Sequence, residues 1–172
     1  MQKKTDDMQR AGFFRRLAAI IYDTLVAVAV AMVAAMVCLV TMLLMVENGL
    51  LNNQGYDNFS DFFQHTPLYQ HILQAWVLVW VVGFFLWFWR NGGQTIGMRA
   101  WRLRLFSTRP QPFGYRRAAL RLVASLGGLG TLVVLFDYKN KLSLQDRIAG
   151  TEMLYLSKEA NDHKAWQNLQ EQ

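Results

Sequence analysis

The chain has 172 residues, of which 53% are hydrophobic and 13% aromatic, and it carries a formal net charge of +6. This apolar fraction exceeds that of an ordinary soluble domain, and the length indicates one compact unit. The apolar residues fall into three long blocks, which are typical of membrane spans. The positive charge has an explanation in membrane topology, described below, so no nucleic-acid partner is expected.

The first predicted element is a membrane span over the apolar block Leu17–Val46. A basic tail, residues 1–14, and two arginines precede it, and after Asp23 it carries no charge up to Glu47. About 20 apolar residues cross a hydrocarbon core roughly 30 Å thick. A secretory signal peptide is the alternative, but its apolar region has only about 7–15 residues. The only cysteine, Cys38, lies inside this span and is expected to be a packing residue.

The second apolar block, Ile72–Trp89, predicts a span over about residues 70–90. The loop before it, Glu47–Tyr69, contains no Lys or Arg. Because Lys and Arg concentrate in cytoplasmic loops, we expect this loop outside and the amino terminus and the 90–121 loop in the cytoplasm. The 90–121 loop carries eight arginines and no acid: Arg90, Arg99, Arg102, Arg104, Arg109, Arg116, Arg117 and Arg121.

The third apolar block, Ala118–Phe136, is interrupted by Gly127, Gly128 and Gly130. Two interpretations remain open: a third span, or a pair of half-helices that re-enters the membrane while shielded by protein. Basic residues that follow the block favour a carboxyl terminus in the cytoplasm. The predicted architecture is therefore an all-α integral membrane bundle, with two long spans, a third glycine-broken segment and a basic cytoplasmic loop.

The basic loop contains "MRAWRLRLF", in which charged and apolar residues alternate. One interpretation is a segment on the membrane surface, with Arg99, Arg102 and Arg104 toward anionic headgroups and Trp101 and the leucines toward lipid. A second is a short strand that pairs with the similarly alternating "TEMLYL" at residues 151–156. An ordinary positive-inside loop is the third, and the sequence leaves all three open.

Motifs for chemistry are missing from the sequence. "NGGQTIG" does not match the phosphate-binding P-loop, no nucleophile stands in a recognisable pattern, and the histidines and aspartates of the 47–71 region lack metal-ligand spacing. We therefore expect no enzymatic activity, no metal and no cofactor. Membrane lipid is the expected partner, together with a second copy of the chain or another membrane protein.

Four features follow one another along the chain: an arginine that opens the first span (Arg16), an aspartate seven residues later (Asp23), "GQTIG" (residues 93–97) and "LQDRIAGT" (residues 144–151). This order resembles the RDD family of membrane proteins, named for one Arg and two Asp, over about residues 12–156. The resemblance implies that Arg16 is the family's arginine and that Asp23 and Asp146 are its aspartates. It also implies an integral membrane domain of a type often suggested to take part in transport.

Helical spacing places Arg16 and Asp23 on nearly the same face of the first span, about 10 Å apart along its axis. Steps of four from Asp23 reach Ala27, Ala31 and Ala35, and small residues permit another helix to approach closely. Asp23 is therefore expected to face protein. Three interpretations of it stay open: a hydrated boundary residue at the inner interface or partner of cytoplasmic arginines, a partly buried carboxyl that takes up a proton or binds a cation, and a buried pair with no transport role. Asp146 stands in a polar sequence, where we expect it to accept hydrogen bonds or pair with Arg16.

Three functions follow as hypotheses. The first is a small, oligomeric transport component that uses Asp23 with Arg16 and Asp146 to move a cation, a proton or an unknown ligand. The second is a non-catalytic module that binds anionic lipid or a protein partner through its arginines. A membrane enzyme is the third and the least supported. We predict a membrane domain over residues 15–156 with a polar tail, 157–172, in a multi-pass protein of a bacterial inner (plasma) membrane.

Overall fold

The structure is a computed structural model that describes residues 9–110, 113–137, 139–158 and 160–161. Lys3 and Lys4 of the predicted cytoplasmic tail, and most of the predicted tail 157–172, lie outside these residues. The protein is mainly helical, as predicted for an all-α membrane protein. By length and composition, three stretches of the described chain are long and apolar enough to cross a membrane: Phe13–Glu47, Pro67–Asn91 and Tyr115–Phe136.

Two long helices in the first 91 residues of the chain are followed by shorter helices and two strands. In chain order they are α1 Phe13–Glu47, α2 Phe59–His65, α3 Pro67–Asn91, α4 Ile96–Ala100, β1 Leu103–Ser107, α5 Tyr115–Ser125, a 3₁₀ segment Leu126–Leu132, α6 Val133–Phe136, α7 Leu144–Ala149 and β2 Thr151–Tyr155.

The described chain divides into two compact units. The outer unit, Val26–Phe84, contains most of α1 and α3 and the loop between them. In this unit the indole Nε1 of Trp76 donates to the backbone carbonyl of Ala34 at 3.1 Å, which joins α3 to α1. The short helix α2, which was not predicted, buries Phe62.

The second unit, here called the basal unit, consists of the described residues up to Leu25 and from Phe85 onward. Its core contains Ala19 from the start of α1, Trp89 from the end of α3, and Leu103 and Met153 from the two strands. The beginning of α1 and the end of α3 therefore lie together in one hydrophobic cluster.

β1 and β2 form an antiparallel pair in which Leu103 is opposite Tyr155 and Ser107 is opposite Thr151. This confirms the strand interpretation of the arginine-rich loop and its pairing with residues 151–156. Residues 9–11 extend the sheet, because Ala11 donates its backbone N–H to Met153 and Tyr155 donates to Gln9, each at 2.9 Å. A sheet in the basal unit therefore ties the described amino-terminal residues to the last strand.

The third apolar segment is not one continuous α-helix. Helix α5 ends at Ser125, and its C-cap residue, Leu126, is left-handed with φ 48°. Gly127 and Gly128 follow with φ 65° and 105°. Glycine adopts such angles without the steric penalty of a side chain. The predicted glycine break is therefore present, and it separates α5 from the 3₁₀ turns and α6.

Candidate functional site

The carboxylate of Asp146 lies at the centre of a buried group of charged side chains. Its Oδ2 accepts hydrogen bonds from Arg16 Nη1 at 2.5 Å and from the backbone N–H of Ser143 at 3.2 Å. Its Oδ1 accepts one from Arg121 Nη1 at 2.5 Å. The side chains of Arg16, Arg121 and Asp146 are each at most 2% exposed. We call these three residues the Asp146 cluster.

Local sequence holds Asp146 in place. Ser143 precedes α7 and caps it, since its hydroxyl accepts the backbone N–H of Asp146 at 3.3 Å while the Asp146 carboxylate accepts the N–H of Ser143. This reciprocal arrangement is a capping box with Asp in place of the more common Glu. The start of its own helix thus orients the carboxylate independently of the two arginines.

Arg16 uses its whole guanidinium within the protein. Besides Asp146, it donates from Nε to the carbonyl of Ala11 at 3.0 Å, from Nη1 to the hydroxyl of Ser143 at 3.3 Å, and from Nη2 to the carbonyl of Lys141 at 2.9 Å. The expected pairing of Asp146 with Arg16 is therefore present. It fixes the start of α1 to the loop before α7.

Arg121 was not predicted as a site residue. It lies on α5, donates from Nη1 to Asp146 and also to the hydroxyl of Thr151 at 2.6 Å, and its guanidinium carbon stands 5.6 Å from the ring centroid of Trp89. The sequence did hold a signal, because a single arginine in the apolar stretch "AALRLVASL" needs a buried acceptor. The sequence alone could not identify Asp146 as the acceptor for Arg121.

The two arginines determine the ionisation of Asp146. Burial alone raises the pKa of its carboxyl, but the positive charges of Arg121 and Arg16, with their hydrogen bonds, outweigh burial and lower the pKa to about 2. Asp146 is therefore ionised at all physiological pH values. A permanently charged, fully bonded carboxylate is suited to holding structure and unsuited to exchanging protons.

Asp23 forms a different contact set. Its Oδ2 accepts the hydroxyl of Thr95 at 2.5 Å, and its Oδ1 accepts the backbone N–H of Gly97 at 2.8 Å. Both donors are neutral, and Asp23 has no ion pair with any residue that the structure describes. The carboxylate is buried within the basal unit although it belongs to an apolar helix.

Glycine at position 97 allows the loop before α4 to lie close to the backbone of α1 at Asp23. A Cβ atom built on Gly97 would lie 2.9 Å from both the Cγ and the backbone N of Asp23, and would also overlap the carbonyl of Ala19. Only glycine fits against the backbone of α1 here. Thr95 supports the same loop as the N-cap of α4, since its hydroxyl accepts the N–H of Met98 at 3.3 Å.

The predicted charges thus form two sets and not one. Arg16 and Asp146 come together with Arg121, while Asp23 contacts the "GQTIG" segment and has no hydrogen bond or ion pair with Arg16 or Asp146 in the described structure. Helical spacing placed Arg16 and Asp23 on nearly the same face of α1, but their side chains bind different elements. Two helical turns separate Arg16 from Asp23, which is enough for each to reach a different element.

The residues of the arginine-rich loop differ in their exposure to solvent. Arg99 and Trp101 are exposed, Arg102 and Arg104 are half-buried, and burial lowers the pKa of Arg104. Leu103 is fully buried and Leu105 nearly so. The interpretation of this segment as a surface segment with its leucines toward lipid is therefore wrong, because in β1 these leucines enter the protein core.

The predicted packing alanines, Ala27, Ala31 and Ala35, are half-buried within the outer unit, whereas Val28 and Met32 on the other face of α1 are exposed. Ala34, beside this row of alanines, is buried and accepts the Trp76 indole. The small residues therefore lie on the more covered side of α1.

The model of the RDD family matches residues 10–150 of this chain. The chain belongs to the RDD family. The match includes Arg16, Asp23, the "GQTIG" segment and Asp146, so both contact sets lie within the family domain. No curated protein and no solved structure matches this RDD protein. Among its described residues, no group of three or more His, Cys, Asp and Glu side chains is placed to hold a metal ion.

Proposed function

We propose that this RDD protein is a small, non-enzymatic transport component in which Asp23 alternately binds a proton and a monovalent cation. One observation carries the proposal: the Asp23 carboxylate is buried in an apolar helix, and its hydrogen-bond donors among the described residues, Thr95 and Gly97, are both neutral. Ionisable groups within membrane segments are costly, and they commonly mark ion pathways.

The contrast with Asp146 supports this division of roles. Two arginines neutralise Asp146, whereas no arginine or lysine in the described structure pairs with Asp23. A cation that approaches Asp23 would therefore not have to displace a resident positive charge. In this proposal Arg16 and Asp146 act indirectly, since they hold together the basal unit that presents Thr95 and Gly97 to Asp23.

We further propose that the protein lies in a bacterial inner membrane with its amino terminus in the cytoplasm, in accord with the distribution of Lys and Arg. Two long helices of this size do not readily enclose a pathway. The proposal therefore includes a second copy of the chain, or another membrane protein, as a partner.

The test is a flux measurement on the full chain in proteoliposomes with an internal pH-sensitive dye. Gradients of Na⁺, K⁺ and Li⁺ are imposed in turn. The parent should show proton flux that depends on the cation, and Asp23→Asn should lose it. The variant should still fold cooperatively, with an unfolding temperature below the parent's because Thr95 and Gly97 lose a charged acceptor. Asp61→Asn, in the loop of the outer unit, is the matched control and should keep the flux. Absence of flux in the parent, or equal flux in Asp23→Asn, would contradict the proposal.

A separate observation supports a second candidate function, the binding of anionic lipid headgroups. The acids described in the basal unit are all engaged within the protein: Asp23 with Thr95 and Gly97, Asp137 with Arg147, Asp146 in its cluster, and Glu152 with Arg10. In contrast, several exposed arginines form no ion pair with a described residue: Arg90, Arg99, Arg109 and Arg116. Such a surface attracts anionic lipid, by about 1 kcal/mol for each basic residue near the membrane.

Short-chain phosphatidylglycerol binding to the detergent-solubilised protein tests this candidate. The double variant Arg99→Gln/Arg116→Gln should bind more weakly, and the loss should shrink in high salt because the attraction is screened. Asp23→Asn should bind like the parent, which separates this function from transport. Equal binding of phosphatidylglycerol by the parent and the double variant would exclude the candidate.

A further inference from the structure

Both ends of the third apolar segment, Tyr115–Phe136, are held at the same end of the two long helices. At its beginning, the guanidinium carbon of Arg90 in the last turn of α3 lies 4.3 Å from the ring centroid of Tyr115. Just beyond its end, the carbonyl of Lys141 accepts a hydrogen bond of 2.9 Å from Arg16, near the start of α1. These two helix ends share one hydrophobic cluster, as described above.

Chain length then excludes a crossing. Lys141 follows Phe136 by five residues, and a fully extended chain of that length reaches at most about 18 Å. The hydrocarbon core is about 30 Å thick. Phe136 therefore cannot lie at the membrane face opposite Lys141 and Arg16.

The backbone within the segment also folds back toward its own start. The backbone turns at Leu126, Gly127 and Gly128, and a Cβ on Gly130 would approach the carbonyl oxygen of Ala124 to 2.7 Å. In a straight helix, six residues rise about 9 Å, so the chain has folded back on the end of α5.

One side of α5 is covered by a polar helix. Arg117 donates from Nε to the carbonyl of Ala149 at 2.9 Å, and Arg121 donates to Asp146, so α7 lies alongside α5. Helix α7 exposes Arg147, a charge that favours water or headgroups over hydrocarbon. The α5–α7 pair is therefore placed near the membrane surface.

The other side of the segment is apolar and uncovered in the described structure. Its exposed side chains range from 44% to 89% exposed: Leu120, Val123, Leu126, Leu129, Leu132, Leu135 and Phe136. At the segment's start, Tyr115 and Arg116 are also exposed, and aromatic and basic residues favour the headgroup level.

We propose that residues 115–136 do not span the membrane but enter and leave the leaflet on the Arg16 side, with this apolar side inserted among the acyl chains of that leaflet. The occupant of the surface is lipid. The protein then has two membrane crossings, α1 and α3, and the β2 strand lies on the same side as the described amino-terminal residues. This inference does not depend on whether Asp23 carries ions.

Labelling of single cysteines by a membrane-impermeant maleimide tests the topology in intact and permeabilised cells. In a Cys38→Ser background, the tested position is Lys139→Cys, with Gln9→Cys and Leu50→Cys as controls for the two sides. Lys139→Cys should follow the pattern of Gln9→Cys and be opposite to Leu50→Cys. Labelling of Lys139→Cys with the Leu50→Cys pattern would overturn the proposal.

Depth is measured with a fluorophore on Val123→Cys or Leu129→Cys and with nitroxide lipids that quench at a shallow or a deep acyl position. The shallow lipid should quench both positions more than the deep lipid. Leu78→Cys, an exposed position near the middle of α3, is the matched control and should show the reverse order. Stronger quenching of both test positions by the deep lipid, as in Leu78→Cys, would overturn insertion into one leaflet.

Each cysteine replaces an exposed side chain, and the parent's unfolding temperature serves as the check on folding. Phe136→Cys provides a further exposed position at the end of the segment, where shallow quenching is again expected.

Discussion

Arg16 Nη1 lies 2.5 Å from Asp146 Oδ2, and both side chains are almost completely buried. This contact joins residues 130 positions apart and holds the start of the first long helix against α7. Because Arg121 binds the other oxygen of the same carboxylate, one acid connects α1, α5 and α7. The stability of the basal unit should therefore depend strongly on this single side chain.

Asp146→Asn should destabilise the protein by about 3–5 kcal/mol, because it leaves Arg16 and Arg121 buried without a countercharge. Thermal unfolding in detergent measures the effect. Glu152→Gln is the matched control, since it breaks the partly exposed pair with Arg10, and such pairs contribute about 1 kcal/mol or less. Equal losses of stability in the two variants would show that burial of the Asp146 cluster does not increase its contribution to stability.

The same carboxylate should give the protein an acid-sensitive component of stability. Its pKa is lowered from 3.8 to about 2 in the folded protein, so folding favours the ionised form. That contribution, about 2 kcal/mol, is fully present above about pH 4 and is lost as the pH falls toward 2. The difference in unfolding free energy between the parent and Asp146→Asn should narrow over this interval. A difference that stays constant from pH 6 to pH 2 would contradict the prediction.

Gly97→Ala should lower the free energy of unfolding by about 1–3 kcal/mol, because the new methyl group overlaps the α1 backbone around Asp23. The methyl group can be accommodated only if a helix shifts. Gly83→Ala is the control: it lies in α3 with open space around its Cβ position, and alanine there should be neutral or stabilising by up to about 1 kcal/mol. Unfolding temperatures of the two variants provide the comparison. The contact is unimportant if Gly97→Ala is as stable as Gly83→Ala.

Thr95→Val should destabilise the loop before α4, since it removes the hydroxyl that donates to Asp23 and caps the helix. A hydrogen bond to a charged group contributes about 1.5–3 kcal/mol. Thr95→Ser keeps the hydroxyl and should retain most of the stability. Hydrogen exchange of the Gly97 and Met98 amides measures the loss locally; protection equal to that of the parent in Thr95→Val would disprove the role of the hydroxyl.

The sequence was sufficient for the long helices, the family and the glycine break, and it offered the pairing of Arg16 with Asp146 as one of two roles for that aspartate. These features depend on local composition or on a charge that needs a partner. The strand pairing of residues 103–107 with 151–155 was one of several open interpretations, because alternation alone does not distinguish a strand from a surface segment. Burial of Leu103 decides between them.

The hydrogen-bond partners of Asp23 could not be predicted from the local sequence. Its contacts with Thr95 and Gly97 join positions more than 70 residues apart, and nothing in local periodicity says which loop reaches a given helix face. Arg121 was missed for the same reason: its charge was attributed to loop topology, while its contacts are with α7 and β2.

The long separation between Arg16 and Asp146 also determines the order of assembly. During synthesis α1 emerges first, and its buried arginine has no carboxylate partner until α7 has been made. Synthesis of both long helices therefore precedes completion of the basal unit. Until α7 has been made, Arg16 lacks the carboxylate that neutralises it in the folded protein, and a chain interrupted before residue 146 would never acquire that partner.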